Sequence, residues 1–398
     1  MAVAGVIAEY NVFHRGHAWQ LRALRRRLGP DTAVVAAMSG SVVQRGEFAV
    51  ASKHARAEMA LEGGVDLVLE IPAPWACATA ERFAQGGAAV LAATGVVTHL
   101  VFGSESADLE KLRRTAECLD SDGYRAALRL SLAGGVTFAQ AREAAARSLV
   151  GEAASVLARA NDNLAVEYLR ALAALDWPVE PVALPRVGAG HDSGELGTYA
   201  SASAIRALLL SGGPWRDYVP ETTVRRLERD LEEGRAPVTL AACQRAVLSR
   251  LRRMEAEEFI AYDGGGEGLY RRFYAAVRAS STVEELLERA KTRRYTMARL
   301  RRLLLHSYLD LRPARREDRI PYLRVLGANG RGRALLRQMG KTAALPVVTR
   351  PGRTGALGEE AAALMALEAR CTDLAILARP DYTRFPPGEE YRIGPVMR

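Results

Sequence analysis

Two histidines three positions apart, His14 and His17, stand in the segment Glu9-Tyr10-Asn11-Val12-Phe13-His14-Arg15-Gly16-His17. Paired imidazoles beside a nucleotide can neutralise the charge that gathers on a departing pyrophosphate. A second anion-holding pattern lies far along the chain. In Ser201-Ala202-Ser203-Ala204-Ile205-Arg206, Ser203 is the expected N-cap of a helix, and Arg206 falls one turn inside it on the same face. Zinc is the competing reading of His14 and His17, but HxxH needs further ligands and the other four histidines show no companion spacing. Phosphate contact is the preferred reading, and no metal ligand is identified.

These groups need elements to hold them. The apolar run Val3–Ala8 has no alternation, as in a strand buried on both faces of a parallel sheet. Ala18, Leu21, Leu24 and Leu28 then recur at helical spacing, so the histidines occupy a strand-to-helix turn whose N–H groups and dipole favour an anion. Further apolar runs at Ala33–Met38, Val65–Ile71 and His99–Phe102 alternate with helical segments at the spacing of βαβ units. The fold class is therefore α/β, a Rossmann-like doubly wound parallel sheet, with ligands expected beyond the C-terminal strand ends. Polar groups cluster there: His14 to His17, Ser39-Gly40, Glu70 with Pro72, and Gly103-Ser104-Glu105. Residues 106–159 read as a run of helices, 161–175 as another, and Val179–Leu184 as a strand leading into the loop Arg186-Val187-Gly188-Ala189-Gly190-His191-Asp192. A domain boundary is placed near 212, giving a catalytic domain over 1–211 and a mostly helical basic domain over 212–398.

The 398 residues, 49% hydrophobic, suffice for a large core and more than one domain. No apolar run is long enough for a membrane span, and no signal leader is read at the N-terminus, so a soluble cytoplasmic protein is expected. Cys77, Cys118, Cys243 and Cys371 are too scattered for a disulfide framework, and no disulfide-linked partner is expected. The net charge of +9 raises the prospect of a polyanionic partner. Arginines thicken after about residue 290, and Arg293, Arg294, Arg299, Arg301 and Arg302 occur with no acidic residue among them. A solvated helix face normally mixes signs, so this run is read as a nucleic-acid-backbone surface, with Tyr295 available to stack on a base.

HxGH after a first strand, with a later Ser-x-x-Arg helix start, resembles the nucleotidylyltransferase superfamily. Residues 8–17 join Met38-Ser39-Gly40-Ser41-Val42-Val43-Gln44-Arg45-Gly46-Glu47, Phe102-Gly103-Ser104-Glu105, Asn161-Asp162, Arg186 to Gly190 and Ser201–Arg206 in order and spacing. Together with Thr292 to Thr296 and Arg299 to Arg302, they resemble the tRNA(Met) cytidine acetate ligase family over nearly the whole chain. The resemblance implies acetyl-adenylate formation from acetate and ATP, then acetyl transfer to N4 of the wobble cytidine of elongator tRNA(Met). It also implies an ATP site built from Ile7, Ala8, Glu9, Tyr10, Asn11, Phe13, His14, Gly16, His17, Gln20, Gly103, Asn161 and Arg186, with His14 and His17 catalytic. Ser203 and Arg206 would hold the β- and γ-phosphates. Mg²⁺ is expected to accompany ATP, although no acidic motif marks its ligands. Val12 and Arg15 stand where the family usually has Pro and Asn, and Ser41-Val42 where it has Asn-Phe.

Two other readings remain open on the residues alone. HxGH equally allows transfer of AMP or CMP to a small phosphorylated cofactor precursor, which gives the basic C-terminal half no task. A non-catalytic RNA-binding protein would keep the fold but not an intact phosphate site. Gln44 to Glu47 reads equally as a solvated turn or a substrate or RNA contact, and Lys53 and Arg56 share that ambiguity. Glu105 is read as a structural acceptor rather than a base.

Overall fold

The computed structural model describes residues 2–134, 136–186, 199–262, 265–266 and 268–398. Its strands are β1 (Val3–Ala8), β2 (Ala33–Ser39), β3 (Val42–Val43), β4 (Glu47–Phe48), β5 (Leu67–Ile71), β6 (His99–Ser104), β7 (Glu180–Pro185), β8 (Leu323–Ala328), β9 (Val347–Val348) and β10 (Val396–Met397). Helix α1 (Arg15–Leu28) follows β1, and α2 (Lys53–Glu62) follows the antiparallel hairpin formed by β3 and β4.

β1 lies parallel to β2, from Val3 opposite Ala33 to Ala8 opposite Met38, and parallel to β6 on its other side. β5 continues the sheet beyond β2, and β7 beyond β6, again in parallel. In the resulting order β5-β2-β1-β6-β7 the chain builds outward through β2 and β5, then crosses back to add β6 and β7. That reversal opens a crevice beyond the C-terminal ends of β1 and β6, the place where doubly wound sheets bind ligands.

Successive residues of each strand enter two different apolar layers. Val3, Val35, Leu67, Leu69 and Leu100 join one layer with Phe83, Leu91, Leu112 and Val166. Val6, Val34, Met38 and Val68 join the other with Leu21, Leu24, Met59 and Leu61. Both sheet faces are covered, which is why these strands read as unbroken apolar runs.

Helix Ala202–Ser211 ends at Gly212, whose φ of +73° places it in the left-handed region that glycine enters without a Cβ penalty. Beyond it the chain is mostly helical. Gln244–Arg252, Leu269–Ala279, Val283–Ala290 and Met297–Leu309 build a third apolar layer, into which the hairpin inserts Val42 and Phe48. The same half then returns to the sheet: β8 runs antiparallel to β5, and β9 and β10 pair in parallel with β8. These strands, absent from the sequence reading, bring the described sheet to eight.

Charge is buried where the returning strand meets the rest. Lys53 on α2 lies 2.7 Å from Glu70 on β5 and 2.7 Å from Glu390, and Arg324 on β8 lies 3.2 Å from Glu390. Glu368 stands 4.0 Å from Lys53, and burial followed by the charge of Glu70 holds its carboxyl above the usual carboxylate range. With Glu368 neutral, two cations face two anions. Lys53 is thus structural.

Candidate active site

The first turn of α1 opens at the crevice and is closed by the histidines themselves. His14 is the N-cap, with φ −128° and ψ 174°; its Nδ1 accepts from Gly16 N at 3.0 Å, while His17 Nδ1 accepts from His14 N at 3.2 Å. This is a capping box with imidazoles in place of the usual hydroxyl and carboxylate. Because both Nδ1 atoms accept, the neutral rings carry their protons on Nε2. The rings stack with centroids 3.7 Å apart, and Tyr10 meets His17 edge-on at 4.9 Å. Burial, then Arg186 and Arg206, pushes His14 down to about 3. Burial, then His14 and Arg186, holds His17 well below its ordinary value. Near pH 7 both are neutral hydrogen-bond donors, and an arriving triphosphate would favour their protonation.

They face a cleft of about 230 Å³. Of the residues expected at an ATP site, Ile7, Ala8, Glu9, Tyr10, Asn11, His14, Gly16, His17, Gln20, Gly103, Asn161 and Arg186 line it. Phe13 does not: it is fully buried behind the turn, edge-on to Tyr10 at 5.1 Å. Ser203 and Arg206 stand beside the lining. The N-cap of helix Ala202–Ser211 is Ser201, not Ser203, because Ser201 is the extended residue (φ −70°, ψ 154°) whose side chain accepts from Ala204 N. Ser201 lines the cleft, whereas Ser203 Oγ meets Arg206 Nη2 at 3.4 Å, and Arg206 Nη1 donates to the Asn11 carbonyl at 2.9 Å. Sequence reasoning also missed Phe83, Phe102, Tyr168 and Tyr199 in the lining; only proximity in the fold marks them. Gly188 to Asp192 lie outside the described residues.

On the β6–β7 side, Arg186 Nη1 donates to Asn161 Oδ1 at 2.8 Å, and Asn161 Nδ2 donates to Glu105. Glu105 also accepts from the backbone N–H groups of Asn161 (3.1 Å) and Asp162 (2.8 Å) at the start of helix Ala160–Ala174. Burial raises the Glu105 carboxyl, but these hydrogen bonds outweigh it and leave it below its ordinary value. Glu105 therefore orients Asn161, which in turn orients Arg186. Across the cleft, Gln44 and Arg45 of the hairpin line the β2 side, where Gln44 N donates to Glu9 Oε1 at 2.9 Å. Arg56 is structural too. Fully buried, it donates to the carbonyls of Ala51, Glu9, Ser39 and Gly40, clamping the segments that leave β1 and β2.

The basic segment is placed less simply than its composition implied. Arg293 and Arg294 are exposed and Arg299 is partly so, but Arg302 is buried at 8% exposure and Arg301 pairs with Glu47 at 2.5 Å. Tyr295 is buried at 7% in the third apolar layer, with Arg294 and Arg299 over its ring. Its ring is not presented for base stacking, because packing with the helical layer has claimed it.

Among the described residues, no group of three or more His, Cys, Asp or Glu side chains is placed to hold a metal ion. Glu9 is the one carboxylate among the described residues of the cleft lining, and it already accepts from Gln44. These residues do not form a cage for the expected Mg²⁺. All four cysteines are buried and free, and no helix among the described residues is long and apolar enough to cross a membrane.

The family model described as HIGH Nucleotidyl Transferase matches residues 1–386. A tRNA(Met) cytidine acetate ligase of Fervidobacterium nodosum is 37% identical over 88% of this chain and 84% of its own length. That of Syntrophomonas wolfei is 34% identical over 100% of this chain and 99% of its own. Among solved structures, Thermotoga maritima TmcAL bound with alpha-thio ATP superposes with a TM-score of 0.92 at 35% identity, covering 100% of this chain and 99% of that one. The apo form of the same protein gives 0.94 at 34%, with the same coverage.

Proposed function

Since the chain belongs to the HIGH nucleotidyl transferase family and, within it, to the tRNA(Met) cytidine acetate ligases, we propose that it activates acetate with ATP and acetylates a cytidine of tRNA(Met). The observation that carries the reading is the pair of neutral imidazoles closing the start of α1 inside a crevice at the sheet's reversal point. Two Nε2–H groups and a helix N-terminus converge where negative charge must be accommodated.

In the first step a carboxylate oxygen of acetate attacks the α-phosphorus of ATP. The bond to the β-phosphate bridging oxygen breaks, and pyrophosphate leaves with the electron pair. His14 and His17 donate to the phosphate oxygens as charge builds, and Arg186, held by Asn161, neutralises the same region. Ser203 and Arg206, with the Ser201-capped helix start, take the β- and γ-phosphates. Gly103 lets the nucleoside approach β6. In the second step N4 of the wobble cytidine of elongator tRNA(Met) attacks the acetyl carbonyl, AMP departs with the bonding pair, and the amine gives up a proton. Adenylation is what makes this possible, since free acetate has no leaving group for a weakly nucleophilic amine. The exposed Arg293 and Arg294, with Arg299, are the proposed contacts to the tRNA backbone. A tRNA substrate places the work in the cytoplasm.

The test is to incubate the full chain with ATP, labelled acetate and an unmodified tRNA pool, then to digest the RNA and analyse nucleosides by mass spectrometry. Label in N4-acetylcytidine, with AMP and pyrophosphate formed, is the expected outcome. Label in a small nucleotide cofactor, or no acetate dependence, would overturn it.

A further inference from the structure

We propose that Gln44 and Arg45, at the tip of the β3–β4 hairpin, form the subsite that holds the carboxylate of the acetate co-substrate. The inference rests on the acetate-activating reading above and deepens it.

The strand order divides the cleft. Gly103, Asn161 and Arg186 lie on its β6–β7 side and suit a nucleoside and its phosphate. The histidines stand at its centre, after β1. Gln44 and Arg45 lie on the opposite side, in the hairpin that follows β2. Among the described residues of the lining, Arg45 and Arg186 are the two arginines, one on either side of the imidazole pair. A nucleophile that displaces pyrophosphate must approach the α-phosphorus from the side away from the leaving group, so the second anion needs a cationic site of its own.

The hairpin tip is held in place from several directions. Gln44 N donates to Glu9 Oε1 at 2.9 Å. Gly46, at φ +80°, lies so close to helix Met297–Leu309 that a Cβ would collide with the backbone of Arg301 and Arg302. Glu47 bridges Arg301 at 2.5 Å and Arg206 at 3.6 Å. The backbone that carries Gln44 and Arg45 is thus held in place, which lowers the cost of presenting them to a ligand. A guanidinium and a primary amide supply the donors that a carboxylate accepts. The carboxylate then keeps one oxygen toward the α-phosphorus. That oxygen forms the new O–P bond while pyrophosphate leaves with the electrons of the broken one.

The experiment is acetate-dependent ATP–pyrophosphate exchange, run on the full chain without tRNA. Arg45→Ala should raise the KM for acetate by about 10- to 100-fold, the worth of one charge-assisted hydrogen bond, with the KM for ATP changed by less than about twofold, well under such a bond. Gln44→Ala should raise the acetate KM by less, and Arg45→Lys should restore part of the loss while confirming a folded chain by circular dichroism. An unchanged acetate KM, or an ATP KM that rises as much as that for acetate, would overturn the subsite alone. Exchange without acetate dependence in the unmodified protein would instead overturn the acetate-activating reading, and the subsite with it.

Discussion

His14 has two separable tasks, and one substitution can divide them. Its Nδ1 accepts from Gly16 N at 3.0 Å and so closes the start of α1, while its Nε2–H is left for the ligand. Deleting an N-cap acceptor costs about 0.5–2 kcal/mol, and asparagine restores one. His14→Ala should therefore be destabilised by about 1 kcal/mol in urea unfolding, and His14→Asn by a few tenths at most. Neither variant carries an imidazole Nε2–H toward the α-phosphate. Loss of one preorganised donor to a charge-developing oxygen lowers turnover by about 10²- to 10³-fold. Both variants should thus lose exchange activity to that extent, although only one loses stability. Recovery of His14→Asn to within about tenfold of the parent, a factor worth some 1.4 kcal/mol, would show that the cap, not the imidazole proton, is what the reaction needs. Equal stability of the two variants would refute the capping argument.

The depressed histidine pKa values have a sign. The unfolded chain takes up protons near 6.5 and the folded one only near 3 for His14, so stability should hold above 6.5 and fall as pH drops below it. Urea midpoints at several pH values would show the slope, and it should be shallower for His14→Asn. Glu368 has the opposite sign: its folded value is raised to about 8, so the native state loses stability as pH climbs from the ordinary carboxylate value toward 8. Glu368→Gln should be tolerated at pH 7 and flatten that loss in denaturation curves. Gly46→Ala should cost more than about 1–2 kcal/mol, since a left-handed φ and backbone collision coincide there; a chemical-denaturation midpoint would register it. Replacing Arg293 and Arg294 with alanine should weaken tRNA binding and reduce the salt slope by about 0.7–0.9 for each phosphate that is no longer neutralised, as read by filter binding at several salt concentrations.

The strands that build the crevice were legible because each is buried on both faces. Val3–Ala8 and His99–Phe102 stand out as apolar runs whatever surrounds them, and they reappear as β1 and β6. β8 escaped because Arg324 interrupts Leu323–Ala328. Its charge is answered by Glu390, a partner that only the fold brings near. Ser203 resembled a cap as closely as Ser201 did, and backbone conformation decided between them. The same limit applied to Tyr295, Arg301 and Arg302. A run of arginines announces charge, but which members face water depends on the hairpin and helices packed against them. Phe102 and Tyr168, 5.8 Å apart, give no local sign of lining a cleft.

The pairing of β5 with β8 joins Leu67–Ile71 to a strand that lies past residue 320. During translation, at about 5–20 residues per second, the ribosome needs on the order of ten seconds or more to deliver that partner. Until then the nascent sheet ends in Leu-Val-Leu-Glu-Ile, an apolar edge with open backbone groups, and the Lys53–Glu70 pair still lacks Glu390 and the Arg324 that faces it. Such an edge invites pairing with other chains. A protein cut after residue 211 would keep this interval open permanently, so it is a candidate for chaperone capture or aggregation rather than for a self-sufficient nucleotide-binding unit.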